Sequence, residues 1–190
     1  MTTNADRRTF IETVRHENER DSGPRAQRFV QKMLSAGLPH PWTYVYELTQ
    51  NAADAGARRV AWKVSGDGVL FQHDGDIALD ERHVRGIASL GASTKGLAAI
   101  GFMGVGFKSV FARFLRARVA GFGWRFKFDA RTAHGDLDST VPQWFDTLRP
   151  LWDEDAADPE DRYTTAFPLS VRLNRIDRLP QTLIGSHRRL

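Results

Sequence analysis

Cysteine is absent from the chain, which excludes disulfides and thiolate metal sites. Also missing is any run of about eighteen apolar residues, the length that a membrane-crossing helix needs. The first residues, Met1, Thr2, Thr3, Asn4, Ala5, Asp6, Arg7 and Arg8, contain no apolar signal core. A soluble, cytoplasmic protein with no membrane contact is therefore expected. Neither sign of charge dominates, because 27 Lys and Arg face 23 Asp and Glu for a net charge of +4. That excess leans toward polyanionic partners without establishing one. His16, His40, His73, His83, His134 and His187 lack the spacing of zinc ligands, and no serine elbow accompanies a histidine and an acid. No repeat or dividing linker interrupts the 190 residues, 41% hydrophobic and 26% charged, which suit one globular domain with a sizeable core.

The stretch that organises the chain is Tyr46, Glu47, Leu48, Thr49, Gln50, Asn51, Ala52, Ala53, Asp54, Ala55. It reads as an amphipathic helix, with Leu48, Ala52 and Ala55 able to pack against a core. Glu47, Asn51 and Asp54 follow one another at spacings of four and three, and so project along one stripe. A polar stripe of this kind faces water in most helices. A second stretch, Ile100 to Val110, changes that balance. Its glycines Gly101, Gly104 and Gly106 stand among Phe102, Met103, Val105 and Phe107, as in a tight loop that bares backbone amides before a helix. Together the two stretches suggest a nucleotide site.

Around them the pattern predicts a helix over 5–20 with Phe10, Ile11 and Val14 inward, a helix over 24–36 opened by Pro24, and Gly56 closing the organising helix in a left-handed conformation. Val60, Trp62 and Val64 alternate with polar neighbours as a strand, 65–68 is a turn, and Val69 to Gln72 runs back antiparallel. A short helix follows at 80–90, then a small-residue lid-like segment, Gly91 to Gly96. A helix over 107–115 should bury Val110, Phe111, Phe114 and Leu115. Residues 118–128 read as one strand with Ala120, Phe122, Trp124, Phe126 and Phe128 on one face. Trp144, Phe145 and Leu148 hint at a short helix, 153–161 is an acidic loop, Phe167 to Leu173 is a last strand, and the basic tail should lie on the surface. The expected fold class is α+β: a two-layer sandwich whose mixed, mostly antiparallel sheet is covered on one face by helices.

The glycine loop is not a Walker A loop, because Phe107 stands where that loop needs lysine and Lys108-Ser109 come one residue late. No strand-borne dinucleotide fingerprint is present either. The ordered set Glu47, Asn51, Asp54-Ala55, then Asp74-Gly75, then Gly101, Gly104, Gly106, Lys108-Ser109 instead resembles the GHKL ATPases. That superfamily includes DNA gyrase, the ninety-kilodalton heat-shock chaperone, histidine kinases and MutL. The runs IGFMGVGFKSVF and SLGASTKG look most similar to its sacsin-type, chaperone-like branch. The resemblance covers residues 25–175, leaving a helical segment at 1–24 and a basic tail at 176–190.

The resemblance implies a Bergerat-type fold that holds ATP and Mg2+ between a helix layer and a lid. Glu47 would be the general base that activates water, and Asn51 would supply its side-chain oxygen to Mg2+. Asp54 would order the pocket floor. Gly101, Gly104, Val105, Gly106, Phe107 and Lys108 would cradle phosphates, Ser93, Thr94 and Lys95 would belong to the lid, and Thr164 or Thr165 would join the adenine network. The second motif departs from the family's Asp-x-Gly-x-Gly: Asp74 with Gly75 is the preferred adenine contact, and aligning the glycine would instead place His73 against the base, or weaken adenine selectivity.

A lid-gated, slowly hydrolysing Mg2+-dependent ATPase module follows as the expectation, part of a larger chaperone-like, signalling or defence protein and weak in isolation. A non-hydrolysing nucleotide switch acting on a partner is the alternative. The resemblance also implies a homodimer through the N-terminal segment or lid, and further domains or partner proteins. Nucleic acid is a possible partner that the sequence leaves unsupported, since the aromatics beside Arg125 and Lys127 read as core.

Overall fold

Thr3 and Asp6 start the first helix by capping each other: the Asp6 N–H donates to the Thr3 hydroxyl at 3.2 Å, and the Thr3 N–H donates to the Asp6 carboxylate at 2.8 Å. Helix α1 (Asn4–Asp21) buries a narrow stripe, Ile11 and Val14, and is tied down where the Asn18 amide donates to the Ala88 and Leu148 carbonyls. The computed structural model describes residues 2–21, 42–66, 68–89, 103–130, 147–171 and 188–189. The expected helix 24–36, the 91–96 segment, Gly101, Trp144 and Phe145 lie outside the described residues.

Helix α2 (Thr43–Asp54) turns Tyr44, Val45, Leu48 and Ala52 into the core and ends at Gly56, whose φ of 78° is the left-handed value expected of a closing glycine. β1 (Arg59–Ser65) and β2 (Gly68–His73) form an antiparallel hairpin in which Trp62 faces Phe71. Helix α3 (Glu81–Ala88) is capped by Asp80, whose carboxylate accepts the N–H groups of Arg82 and His83. Helix α4 (Met103–Lys108) continues into a 3-10 turn (Ser109–Ala112).

β3 (Phe114–Gly121) pairs with β4 (Trp124–Asp129), β4 pairs with the short β5 (Leu151–Trp152), and β6 (Thr165–Val171) lies between β3 and β2. Every pairing among the described strands is antiparallel, in the order β5-β4-β3-β6-β2-β1-β7. The molecule is an α+β sandwich whose helices and inward strand residues share one core. Tyr44 of α2 meets Phe114 edge-on at 5.2 Å, and Phe107 of α4 meets Phe128 and Phe167 at 5.9 and 6.0 Å.

Two expectations are corrected. Residues 118–128 are not one strand but the β3–β4 hairpin, turning at Phe122 and Gly123 with φ of 51° and 79°. Positive φ at both turn residues matches the strands' own twist. The turn reverses the parity, so Ala120 pairs with Arg125, and Val119 with Phe126, instead of Ala120 sharing the face of Trp124. The helix expected at 107–115 begins by Met103 and yields to β3 at Phe114. The basic tail contributes β7 (Arg188–Arg189), which pairs with Arg59 and Val60 on β1.

The sheet's other face carries the acidic segment 153–161 as a strap. Asp153, 1% exposed, lies 2.9 Å from Lys127 Nζ and 2.8 Å from Arg118 Nε. The second contact is an ion pair without hydrogen-bonding geometry. Farther along, Asp158 takes Arg125, and Glu160 pairs with Lys63 while its N–H donates to Gln72 Oε1. Opposite charge on the strap and the sheet face decides where the segment lies.

Candidate functional site

Glu47 and Asn51 sit one turn apart on α2, both half-buried, at the border between the helix's core face and its solvent face. The Glu47 carboxylate occupies the space that a side chain would need at Gly106: a Cβ there would stand 2.8 Å from Glu47 Cδ and overlap Oε2. Glycine at 106 is thus a packing requirement. It lets α2 and α4 approach until the carboxylate rests on the backbone of the second helix. Burial pushes the Glu47 carboxyl above the usual carboxylate range.

The segment 73–77 closes on the far end of α2. Ile77 N–H donates to the Ala55 carbonyl at 3.2 Å, and a Cβ at Gly75 would meet that carbonyl oxygen at 2.6 Å and Ala55 Cβ at 2.9 Å. Asp74 Oδ1 accepts the N–H groups of Arg58 and Arg59 at 2.8 and 2.7 Å, which fastens the start of β1. His73 is buried, stacked on Phe167 with ring centroids 6.1 Å apart, and its Nδ1 accepts the Gly75 N–H. Burial lowers its pKa to about 4, against a smaller opposing effect of Asp74. The Thr164 hydroxyl bonds to the Gly75 carbonyl at 2.5 Å. Thr165, 4% exposed, pairs with His73 across β6 and β2. Of the two threonines it is Thr164, with its hydroxyl on the carbonyls, that holds the second motif in place.

The structure therefore brings Glu47, Gly106, Gly75, His73 and Thr164 onto or against one helix and its flanks. Other expected residues stand elsewhere. Asp54 is exposed at the last position of α2, so it is not the floor of a pocket. Phe107 is 1% exposed and its ring belongs to the core. Lys108 is fully buried: its amine bonds to the Thr147 carbonyl and lies 4.0 Å from the Phe128 ring centroid. Burial lowers its pKa well below the ordinary lysine value. An amine held there is a core group and not a phosphate clamp. Gly104 and Val105 lie within α4; Ser93, Thr94, Lys95 and Gly101 are outside the described residues.

Sequence reading missed the contact that joins the two motifs and the burial of Lys108. The first had a signal in Gly106, a glycine among large apolar residues, which implies close backbone approach. The second had none, since one lysine after a run of core aromatics looks like any helix-surface cation. Among the described residues no group of three or more His, Asp or Glu side chains converges as metal ligands, and no helix is long and apolar enough to cross a membrane. No protein-family model matches the chain, and no curated protein matches it.

Proposed function

We propose that the chain is a nucleotide-binding module that holds ATP along α2 and hydrolyses it slowly, with Glu47 as the general base. The observation that carries this is the Glu47–Gly106 contact, which sets a carboxylate of raised pKa against a glycine-bearing helix start. A base is most useful when its pKa lies near the working pH, and partial burial moves Glu47 in that direction. At the other end of α2, the base would lie near the uncharged group formed by Gly75 and Thr164, whose hydroxyl holds the Gly75 carbonyl.

The donor set fits Mg2+ carried in with the phosphates. Asn51 would give it a side-chain oxygen, and a magnesium ion on triphosphate needs few protein ligands. Such an ion supplies neutralisation of phosphate charge. The chain's own part is positional: α2 holds Glu47 and Asn51 in register one turn apart, and the packed α2–α4 contact limits water around the carboxylate.

A non-hydrolysing switch is the second reading, favoured by Lys108, whose amine lies in the core and not beside Glu47. One experiment separates them. Nucleotide affinity and phosphate release are measured for the unaltered chain and for Glu47→Ala. Turnover lost with affinity kept supports the enzyme. Binding without turnover in both supports the switch, and absence of nucleotide binding in the folded chain refutes both.

A further inference from the structure

Arg118 on β3 and Lys127 on β4 stand directly opposite each other across the hairpin, with Arg125 two residues along β4 on the same face. Like charges in that relation destabilise a sheet unless an anion lies between them. Here the anion is internal: the Asp153 carboxylate, 0% exposed, lies 2.9 Å from Lys127 Nζ and 2.8 Å from Arg118 Nε. Beyond this anchor the strap is held loosely. Asp158 and Glu160, 67% and 49% exposed, pair with Arg125 and Lys63, and exposed ion pairs of this kind hold weakly. The fit beside Glu160 is also incomplete. Gln72, 1% exposed, accepts the Glu160 N–H on Oε1, while its Nε2 has no hydrogen-bond partner among the described residues. Six of the nine residues in 153–161 are acidic, in a chain that carries +4 with them included.

We propose that this outward face of the sheet binds double-stranded nucleic acid through its phosphates, and that the strap beyond Asp153 is an internal polyanion that occupies the face until a duplex displaces it. Lys63, Arg125 and the Arg118–Lys127 pair are the phosphate contacts. The occupant has to outcompete a tethered segment, which holds the advantage of a high effective concentration. An acidic peptide brings no more charge than the strap's six carboxylates in nine residues, and it loses freedom on association besides. A duplex carries about one charge per 1.7 Å and gains from counterion release. Every aromatic residue of the described strands packs in or against the core, so the strands offer no ring on which an unpaired base could stack. Contacts to phosphate alone suit a duplex and carry no sequence information. The inference stands apart from the nucleotide site.

The test is fluorescence anisotropy of a labelled DNA duplex of roughly twenty base pairs, titrated with the full chain at several salt concentrations. The expected result is weak binding by the unaltered chain, strengthened about tenfold or more in Asp158→Asn/Glu160→Gln, with log affinity falling against log salt at a slope of about −2 to −4. Asp54→Asn/Glu81→Gln, an equal change of charge at exposed positions on α2 and α3, should strengthen it less than about threefold. Adding Lys63→Gln/Arg125→Gln to the strap variant should abolish the gain. Equal gains from the two acid pairs mean that net charge acts and not the strap, and overturn the inference. An affinity unmoved in the strap variant, or no duplex binding by any variant at low salt, overturns it as well. A labelled polyglutamate peptide bound where the duplex is not overturns it in favour of an acidic protein partner. Where the strap variant does not fold, limited proteolysis of the unaltered chain decides. Saturating duplex at low salt should speed cleavage after Glu160 by a Glu-specific protease, and unchanged or slowed cleavage overturns the inference.

Discussion

The Glu47 carboxylate rests on the backbone of Gly106, in the volume that any side chain at that position would claim. The two residues are fifty-nine positions apart, and their contact is where the polar stripe of α2 meets the glycine stretch. Adding a methyl group there forces the two helices apart or the carboxylate aside. Gly106→Ala should cost about 1–3 kcal/mol of stability through overpacking. In Glu47→Ala the same glycine substitution should cost less, because the obstructing oxygen is gone. A double-mutant cycle by denaturant unfolding measures this coupling. Equal costs in both backgrounds would mean that the contact does not constrain the fold.

Lys108 offers a stability test independent of nucleotide. Its amine is wholly buried, with one carbonyl partner and the Phe128 ring nearby. The folded state holds that amine with a pKa well below its ordinary 10.5, so the unfolded chain binds more protons there. Stability is thus reduced at neutral pH and recovers as pH rises toward the unfolded value. Lys108→Met should be more stable than the unaltered chain at pH 7 by about 1–4 kcal/mol, and the advantage should shrink toward pH 10. Urea unfolding at the two pH values reads the difference.

His73 gives the opposite end of the pH scale. Its folded pKa of about 4 lies below the ordinary 6.5, so acid favours the unfolded chain between those values. The penalty is absent above the upper value, grows as pH falls, and is complete below the lower one. It amounts to about 3 kcal/mol at about 1.4 kcal/mol per pKa unit. His73→Phe should remove this slope, read as the difference between the two proteins' unfolding curves across that window.

The strap on the far face should depend on one carboxylate more than the others. Asp153→Asn leaves Lys127 and Arg118 facing an amide at a site where the carboxylate is 1% exposed, and should cost about 2–4 kcal/mol. Asp158, with 67% of its side chain exposed, should cost under about 1 kcal/mol when changed to Asn. Chemical denaturation of the two variants decides; similar losses would mean that the strap is held along its whole length.

Much of the architecture was legible because the long elements announce themselves. Val60, Trp62 and Val64 alternate cleanly, Gly56 stops α2 where a left-handed residue was expected, and Phe167 and Leu169 mark β6. The β3–β4 hairpin was not legible, since its turn begins on Phe122, an aromatic residue that reads as strand yet shares the positive φ with Gly123. β5 is two residues long, too short for any period to show. The acidic loop was visible as composition, but its course over Arg118, Lys127, Arg125 and Lys63 needs the sheet's pairing register to be known. At the candidate site, helical spacing placed Glu47 and Asn51 on one stripe, yet the stripe cannot say what stands opposite it. Asp54, the last residue of α2, is exposed, and spacing alone does not tell the exposed end of a polar stripe from its buried part.

A structure of the chain with Mg2+ and a non-hydrolysable ATP analogue tests the central claim most directly. The account predicts the triphosphate between α2 and the start of α4, its terminal phosphate beside Glu47 and its base near Gly75 and Thr164. A triphosphate bound away from the Glu47–Gly106 contact, or a folded chain that takes up no analogue, would contradict it.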